Sequence, residues 1–283
     1  MPRELDMADV RRVIRAGLDE DAGGQDWARG DITSATVIPA DLRFEGVMRA
    51  RHAMVVAGLP VAAEAFRMVV PEARFTPRAD DGRQVPAGTV LAEIEGPARG
   101  LLTAERTGLN LLQLLSGIAT LTRAYADRIK GTGCTLLDTR KTIPGLRLLS
   151  KYATACGGAR NHRMGLYDGV LIKDNHIAVC GGVGAAVRAA KQAGLPNVEA
   201  ECDTLDQVAE AVAAGADIVL LDNMGPDMLR RAVALVDGRA RTEASGGVTL
   251  DTIRAIAETG VDFVSVGRIT QSAPAVDIGL DWN

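Results

Sequence analysis

Val198-Glu199-Ala200-Glu201, an amphipathic run over 205–214, and Ile218-Val219-Leu220-Leu221-Asp222 read in succession as strand, helix and strand, each strand ending on a carboxylate. The same texture recurs on both sides. Short strands are expected at 135–138, 169–173, 198–201, 218–222, 241–245 and 263–266, with helices at 183–192, 205–214, 228–236 and 250–258. Lys173, Glu201, Asp222, Ser245 and Gly267 follow one another at intervals of 21 to 28 residues, each about one βα unit. Parallel strands joined in this way curl into a barrel or form a doubly wound sheet. The strands close on Asp138, Lys173, Glu201, Asp222, Ser245 and Gly267, and in a parallel barrel those ends share the rim that carries chemistry. Six strands are clear and a seventh is read near 152–159. The expected fold is therefore α/β with an open, incomplete βα barrel of about six or seven parallel strands.

Upstream the pattern differs. A helix at 8–18 precedes extended segments at 43–50 and 54–56, a helix starting at Gly58-Leu59-Pro60, and strands with tight turns over 85–96, which make an α+β unit. From 103 to 129, Leu109, Leu112, Leu115, Ile118, Leu121 and Tyr125 recur at three- and four-residue steps, the stripe of a long helix linking two domains.

The 283 residues are 47% hydrophobic but 3% aromatic, as suits small side chains that let helices lie close to a parallel sheet. A net charge of −4 with no basic run excludes nucleic acid as the expected partner. Cys134, Cys156, Cys180 and Cys202 are dispersed and read as reduced core thiols. Met1-Pro2-Arg3-Glu4-Leu5-Asp6 is charged from the start, and no apolar run reaches the roughly 20 residues that span a bilayer. A soluble, cytoplasmic protein without membrane contact is expected.

Against that acidic background, Arg140, Lys141, His162, Arg163 and Lys173 gather between Asp138 and His176. Surface salt bridging is the ordinary fate of each alone. Together they imply an anion, because unit charges about 4 Å apart repel by roughly 4 kcal/mol at an effective dielectric near 20. A planar dicarboxylate suits two guanidinium forks. Glu201 and Asp222, ending successive strands, suit a divalent metal, ribose hydroxyls or a developing positive charge, or else cap the helices that follow. Ser245-Gly246-Gly247 and Gly267-Arg268 follow the last two strands, where glycine lets backbone N–H groups approach a phosphate. His176 either orients its neighbours or satisfies backbone groups, and His52 has no functional context.

These residues resemble the quinolinate phosphoribosyltransferase family. The likeness runs through Gly30-Asp31-Ile32-Thr33, Glu105-Arg106-Thr107-Gly108, Asp138-Thr139-Arg140-Lys141-Thr142, Asn161-His162-Arg163, Ile172-Lys173-Asp174-Asn175-His176, Leu221-Asp222-Asn223 and Glu243-Ala244-Ser245-Gly246-Gly247, covering nearly the whole chain. The resemblance implies an N-terminal α/β sandwich at 1–114 joined by a C-terminal tail at 273–283, and a barrel at 115–272 bearing the active site. It implies transfer of phosphoribosyl from phosphoribosyl pyrophosphate to quinolinate with decarboxylation, and Mg2+ as cofactor. By the same likeness Arg106, Thr139, Arg140, His162, Arg163 and Lys173 hold quinolinate, with Arg106 supplied across a homodimer or a higher assembly. Lys141, Glu201 and Asp222 are the catalytic residues; with Ser245, Gly246, Gly247, Gly267 and Arg268 they bind phosphoribosyl pyrophosphate, and Glu201 and Asp222 serve Mg2+ directly or through water.

One departure is Thr270-Gln271-Ser272 where the family's pattern has Thr-His-Ser, which implies weaker phosphate affinity. The competing readings are a relative acting on another acidic ring, such as the paralogue associated with molybdate transport or a nicotinate-type enzyme, and a non-catalytic barrel that binds a phosphorylated metabolite.

Overall fold

The computed structural model describes residues 4–282; Met1–Arg3 and Asn283, at the outer ends of the expected sandwich and tail, lie outside the described residues. In chain order the elements are α1 (Met7–Asp21), α2 (Trp27–Gly30), α3 (Ile32–Val37), β1 (Arg43–Ala50), β2 (Met54–Val55), α4 (Leu59–Val69), β3 (Arg74–Pro77), β4 (Gln84–Val85), β5 (Val90–Pro97) and α5 (Ala98–Arg128). They continue with β6 (Thr135–Leu137), α6 (Arg147–Gly157), β7 (Val170–Ile172), α7 (Asp174–Cys180), α8 (Val183–Gln192), β8 (Val198–Cys202), α9 (Leu205–Ala213) and β9 (Ile218–Asp222). The last are α10 (Pro226–Val236), β10 (Arg241–Ser245), α11 (Ile253–Ala257), β11 (Phe263–Ser265), α12 (Arg268–Gln271) and β12 (Ile278–Trp282).

Two compact units result: Met1–Arg123 with Thr142–Gly158 and Thr270–Asn283, and Ala124–Lys141 with Ala159–Ile269. In the first, the sheet order is β12-β1-β5-β3, with antiparallel pairing throughout. Alternation along β5 turns Ala92 and Ile94 inward, into the cluster that holds Phe66 of α4 and Leu101, Leu109 and Leu112 of α5. The C-terminal segment lies close on α5, since a Cβ on Gly117 would stand 2.1 Å from the Pro274 carbonyl oxygen. A glycine is required there by backbone approach.

The segment Thr142–Gly158 packs with this first unit, whereas the sequence reading put it in the barrel. The strand expected near 152–159 is instead helix α6. Leu149, Ala153 and Cys156 are buried at three- and four-residue steps and join Val10, Ile14, Leu18 and Leu115, a period that a strand cannot produce. The short edge strand β3 and helix α7 were not anticipated, and α11 starts later than 250, where Thr249 and Thr252 exchange hydrogen bonds in a turn. Cys156 and Cys202 are buried as expected, but Cys180 is exposed on α7.

The second unit holds a parallel sheet in the order β6-β11-β10-β9-β8-β7. Its edges β6 and β7 do not pair with each other, so the sheet stays open. Residues following both edges nevertheless line one cavity, which means that the sheet curls into an incomplete barrel.

Candidate active site

The cavity has a volume of about 370 Å³ and lies at the C-terminal ends of the six strands. Thr139, Arg140 and Lys141 follow β6; Leu171 and Lys173 come from β7 and its end; Glu201 is on β8, Leu220 and Asp222 on β9, Glu243 and Ser245 on β10, Ser265 on β11. His162 and Arg163 complete the lining. Asp138, fully buried, explains how the two cationic segments meet: its carboxylate accepts from Asn161 Nδ2 at 2.7 Å and from the His162 N–H at 2.8 Å.

The cations crowd one another. Burial disfavours the charge of Arg163, and the neighbouring Arg140 adds to that, so its proton affinity is lowered despite Glu199 and Asp168. The buried Nε of Arg140 has no hydrogen-bond partner among the described residues. Both observations point to an anion that would relieve the repulsion and accept the spare N–H.

The acids mirror this. Burial first, then Glu201 and Asp203, push the Asp222 carboxyl above the usual carboxylate range, while Lys173 and Lys141 pull the other way. Hard carboxylate oxygens that repel one another fit a divalent cation such as Mg2+, which would neutralise them. Lys173 Nζ lies 2.7 Å from Glu201 Oε2. His176 Nδ1 accepts the Lys173 N–H at 2.9 Å, which resolves the role of that histidine as a backbone cap.

Beneath the rim lie two acids that the sequence reading did not single out. Glu199 and Glu243 stand two residues before Glu201 and Ser245, hence on the same inward face of their strands; that alternation was the available signal. His162 Nε2 is 3.0 Å from Glu199 and 3.5 Å from Glu243, and the three donors fall within 4.8 Å of one another. The Arg163 N–H donates to His162 Nδ1 at 2.8 Å, so the ring proton sits on Nε2, whereas a metal-bound imidazole carries its proton on the other nitrogen. Burial opposes a charge on His162 and the bonds to Glu199 and Glu243 outweigh it, raising its proton affinity; burial also raises that of Glu199. His162 therefore lines the cavity with both ring nitrogens engaged inside the protein.

Of the expected phosphate residues, Ser245 lines the cavity and Gly246, Gly247, Gly267 and Arg268 follow the strand ends without lining it. Gly246 has φ +93° and Gly247 φ +60°, conformations that favour glycine. Ser265 is a lining residue that the sequence reading missed. Gln271 ends α12 and is exposed. Arg106 lies on α5 in the first unit and lines another cavity, with Asp31, Thr33, Leu102 and Thr103. There Asp31 accepts from Thr103 at 2.9 Å and caps Ser34 at 2.9 Å.

Residues 31–116 match the N-terminal domain, and residues 118–281 the C-terminal domain, of quinolinate phosphoribosyl transferase. A probable nicotinate-nucleotide pyrophosphorylase [carboxylating] of Bacillus subtilis is 42% identical over 259 residues, covering 91% of this chain and 89% of that one. A probable enzyme of the same name in Synechocystis is 43% identical, over 94% of this chain and 90% of its own. The solved nicotinate-nucleotide pyrophosphorylase of Francisella tularensis superposes with a TM-score of 0.92 at 40% identity, covering 99% and 98% of the two chains.

Proposed function

Since the chain belongs to the quinolinate phosphoribosyl transferase family, we propose that it transfers the phosphoribosyl group of phosphoribosyl pyrophosphate to the ring nitrogen of quinolinate. Loss of CO2 then gives nicotinate mononucleotide, with pyrophosphate as the other product, in de novo NAD synthesis. The observation that carries the reading is the lining of one cavity, which brings Arg140, Lys141, Arg163 and Lys173 together with Glu201 and Asp222.

Arg140, Arg163 and Lys173 bind the two carboxylates of quinolinate, with Thr139 and His162 shaping the pocket, and turn the ring nitrogen toward the anomeric carbon. Positioning of this kind removes entropy from the barrier. Departure of pyrophosphate leaves positive charge on the ribose, which Glu201 and Asp222 stabilise, while Lys141 neutralises the leaving group. Ser245, Gly246, Gly247, Gly267 and Arg268 hold the 5-phosphate at the rim. Glu201 and Asp222 would hold Mg2+, directly or through water, and the ion would supply charge neutralisation for the pyrophosphate. Once the ring nitrogen is quaternary, the electron pair of the breaking C–CO2 bond is stabilised on the ring carbon, which takes a proton in place of CO2.

The working form is a homodimer or a higher assembly in which Arg106 completes the partner's pocket, and the compartment is the cytoplasm. No helix among the described residues is long and apolar enough to cross a membrane. The test is to mix the purified protein with quinolinate, phosphoribosyl pyrophosphate and Mg2+, following CO2 and nicotinate mononucleotide, with nicotinate as control acceptor. Product from nicotinate and none from quinolinate would overturn the assignment.

A further inference from the structure

Asn223 stands just past β9, between the acid flank of the cavity and the glycine loop after β10. Three features of its geometry are unusual for an exposed turn residue. Its backbone is left-handed, with φ +54°. Its Nδ2 donates to Asp222 Oδ2 at 2.5 Å, and its backbone N–H donates to the Ser245 carbonyl at 2.9 Å. Its Oδ1 occupies the place that a side chain on Gly246 would need: a Cβ there would lie 2.1 Å from that oxygen.

We infer that Asn223 is a positioning residue for the transfer reaction, a single strut that sets the Asp222 carboxylate and the Ser245–Gly247 phosphate loop relative to each other. The inference rests on the proposed function. Phosphoribosyl pyrophosphate carries its 5-phosphate and its anomeric carbon on one covalent frame, so the group facing each must stand at a fixed separation. Ser245 and Asp222 are register partners on adjacent strands, which fixes their backbones. Register does not by itself set the Asp222 carboxylate or the Gly246-Gly247 turn; Asn223 bonds the first and packs against the second.

The residue type follows from the same demands. The left-handed region is reached at low cost by Gly, Asn and Asp. Glycine would satisfy the backbone and lose the side chain; aspartate would set a second carboxylate against Asp222 and supply no donor. Asparagine alone meets the conformation, the N–H donor and the contact with Gly246.

Asn223→Gly separates the positioning role from a backbone role, because glycine suits φ +54° better than asparagine does. Its melting temperature and quinolinate affinity are expected to equal those of the parent. KM for phosphoribosyl pyrophosphate is expected to rise and kcat to fall, together lowering kcat/KM between about tenfold and a hundredfold. Asn223→Asp is expected to lose at least as much. The inference fails if Asn223→Gly keeps kcat and KM for phosphoribosyl pyrophosphate, or if quinolinate affinity falls in the same proportion. A parent protein that makes no product from quinolinate would instead sink the proposed function, so the two failures are distinguishable.

Discussion

Lys173 and Glu201, on neighbouring strand ends and 28 residues apart in sequence, form a 2.7 Å ion pair at the mouth of the barrel. The pair joins the cationic flank to the acidic one. Lys173 is half exposed, so the bond contributes little stability, on the scale of 0 to about 1 kcal/mol typical of surface pairs. Glu201→Gln should therefore leave the melting temperature nearly unchanged while lowering kcat. Equal losses of stability and turnover would refute a catalytic role for Glu201.

Arg140 and Arg163 repel each other in the cavity. Arg140→Ala or Arg163→Ala should weaken quinolinate binding by roughly 1.5–3 kcal/mol, the scale of a charge-assisted hydrogen bond. The unliganded protein should lose little stability, since a repulsion goes with the side chain. Calorimetric titration with quinolinate, alongside denaturant unfolding, reads both; unaltered affinity in the two variants would remove the anion pocket.

The Asp222 carboxyl is raised by burial, then by Glu201 and Asp203. Between its unfolded and folded pKa the native state binds more protons than the unfolded chain, so this group subtracts stability as pH rises through that interval. Asp222→Asn removes the titration. In the absence of Mg2+ the variant should melt above the parent at neutral pH, with the gap narrowing as pH falls through the raised range of the folded carboxyl toward the ordinary aspartate range and levelling off below it, and its kcat should be reduced. Thermal melts across pH decide it, and a gap that widens on acidification would contradict the sign.

Asp138 is fully buried and accepts from Asn161 Nδ2 and the His162 N–H. Asp138→Ala removes the acceptor of both hydrogen bonds, at a cost of about 0.5–1.5 kcal/mol for each bond lost. Denaturant unfolding should show the loss, and quinolinate affinity should drop with it because Arg163 follows directly on His162. Intact affinity in a destabilised variant would limit Asp138 to a structural role.

Periodicity in the sequence determined the six parallel strands and helices α8 to α11, because hydrophobic spacing reports which face each element buries, whatever lies opposite. It also located Lys173, Glu201, Asp222 and Ser245, since a strand that ends on a polar residue marks the rim by itself. Helix α6 was misread because Lys151, Tyr152 and Thr154 interrupt its apolar pattern; its partners Val10, Ile14 and Leu18 are remote in the chain. Glu199 and Glu243 were given no role of their own, although Glu243 opens the motif Glu243-Ala244-Ser245-Gly246-Gly247. Only the curled sheet brings them to His162, and only the left-handed turn at Asn223 sets its amide on Asp222 beside the Gly246 loop. Contacts across a barrel depend on register and curvature, which the tertiary structure decides because no local pattern of residues encodes the distance between two strand ends.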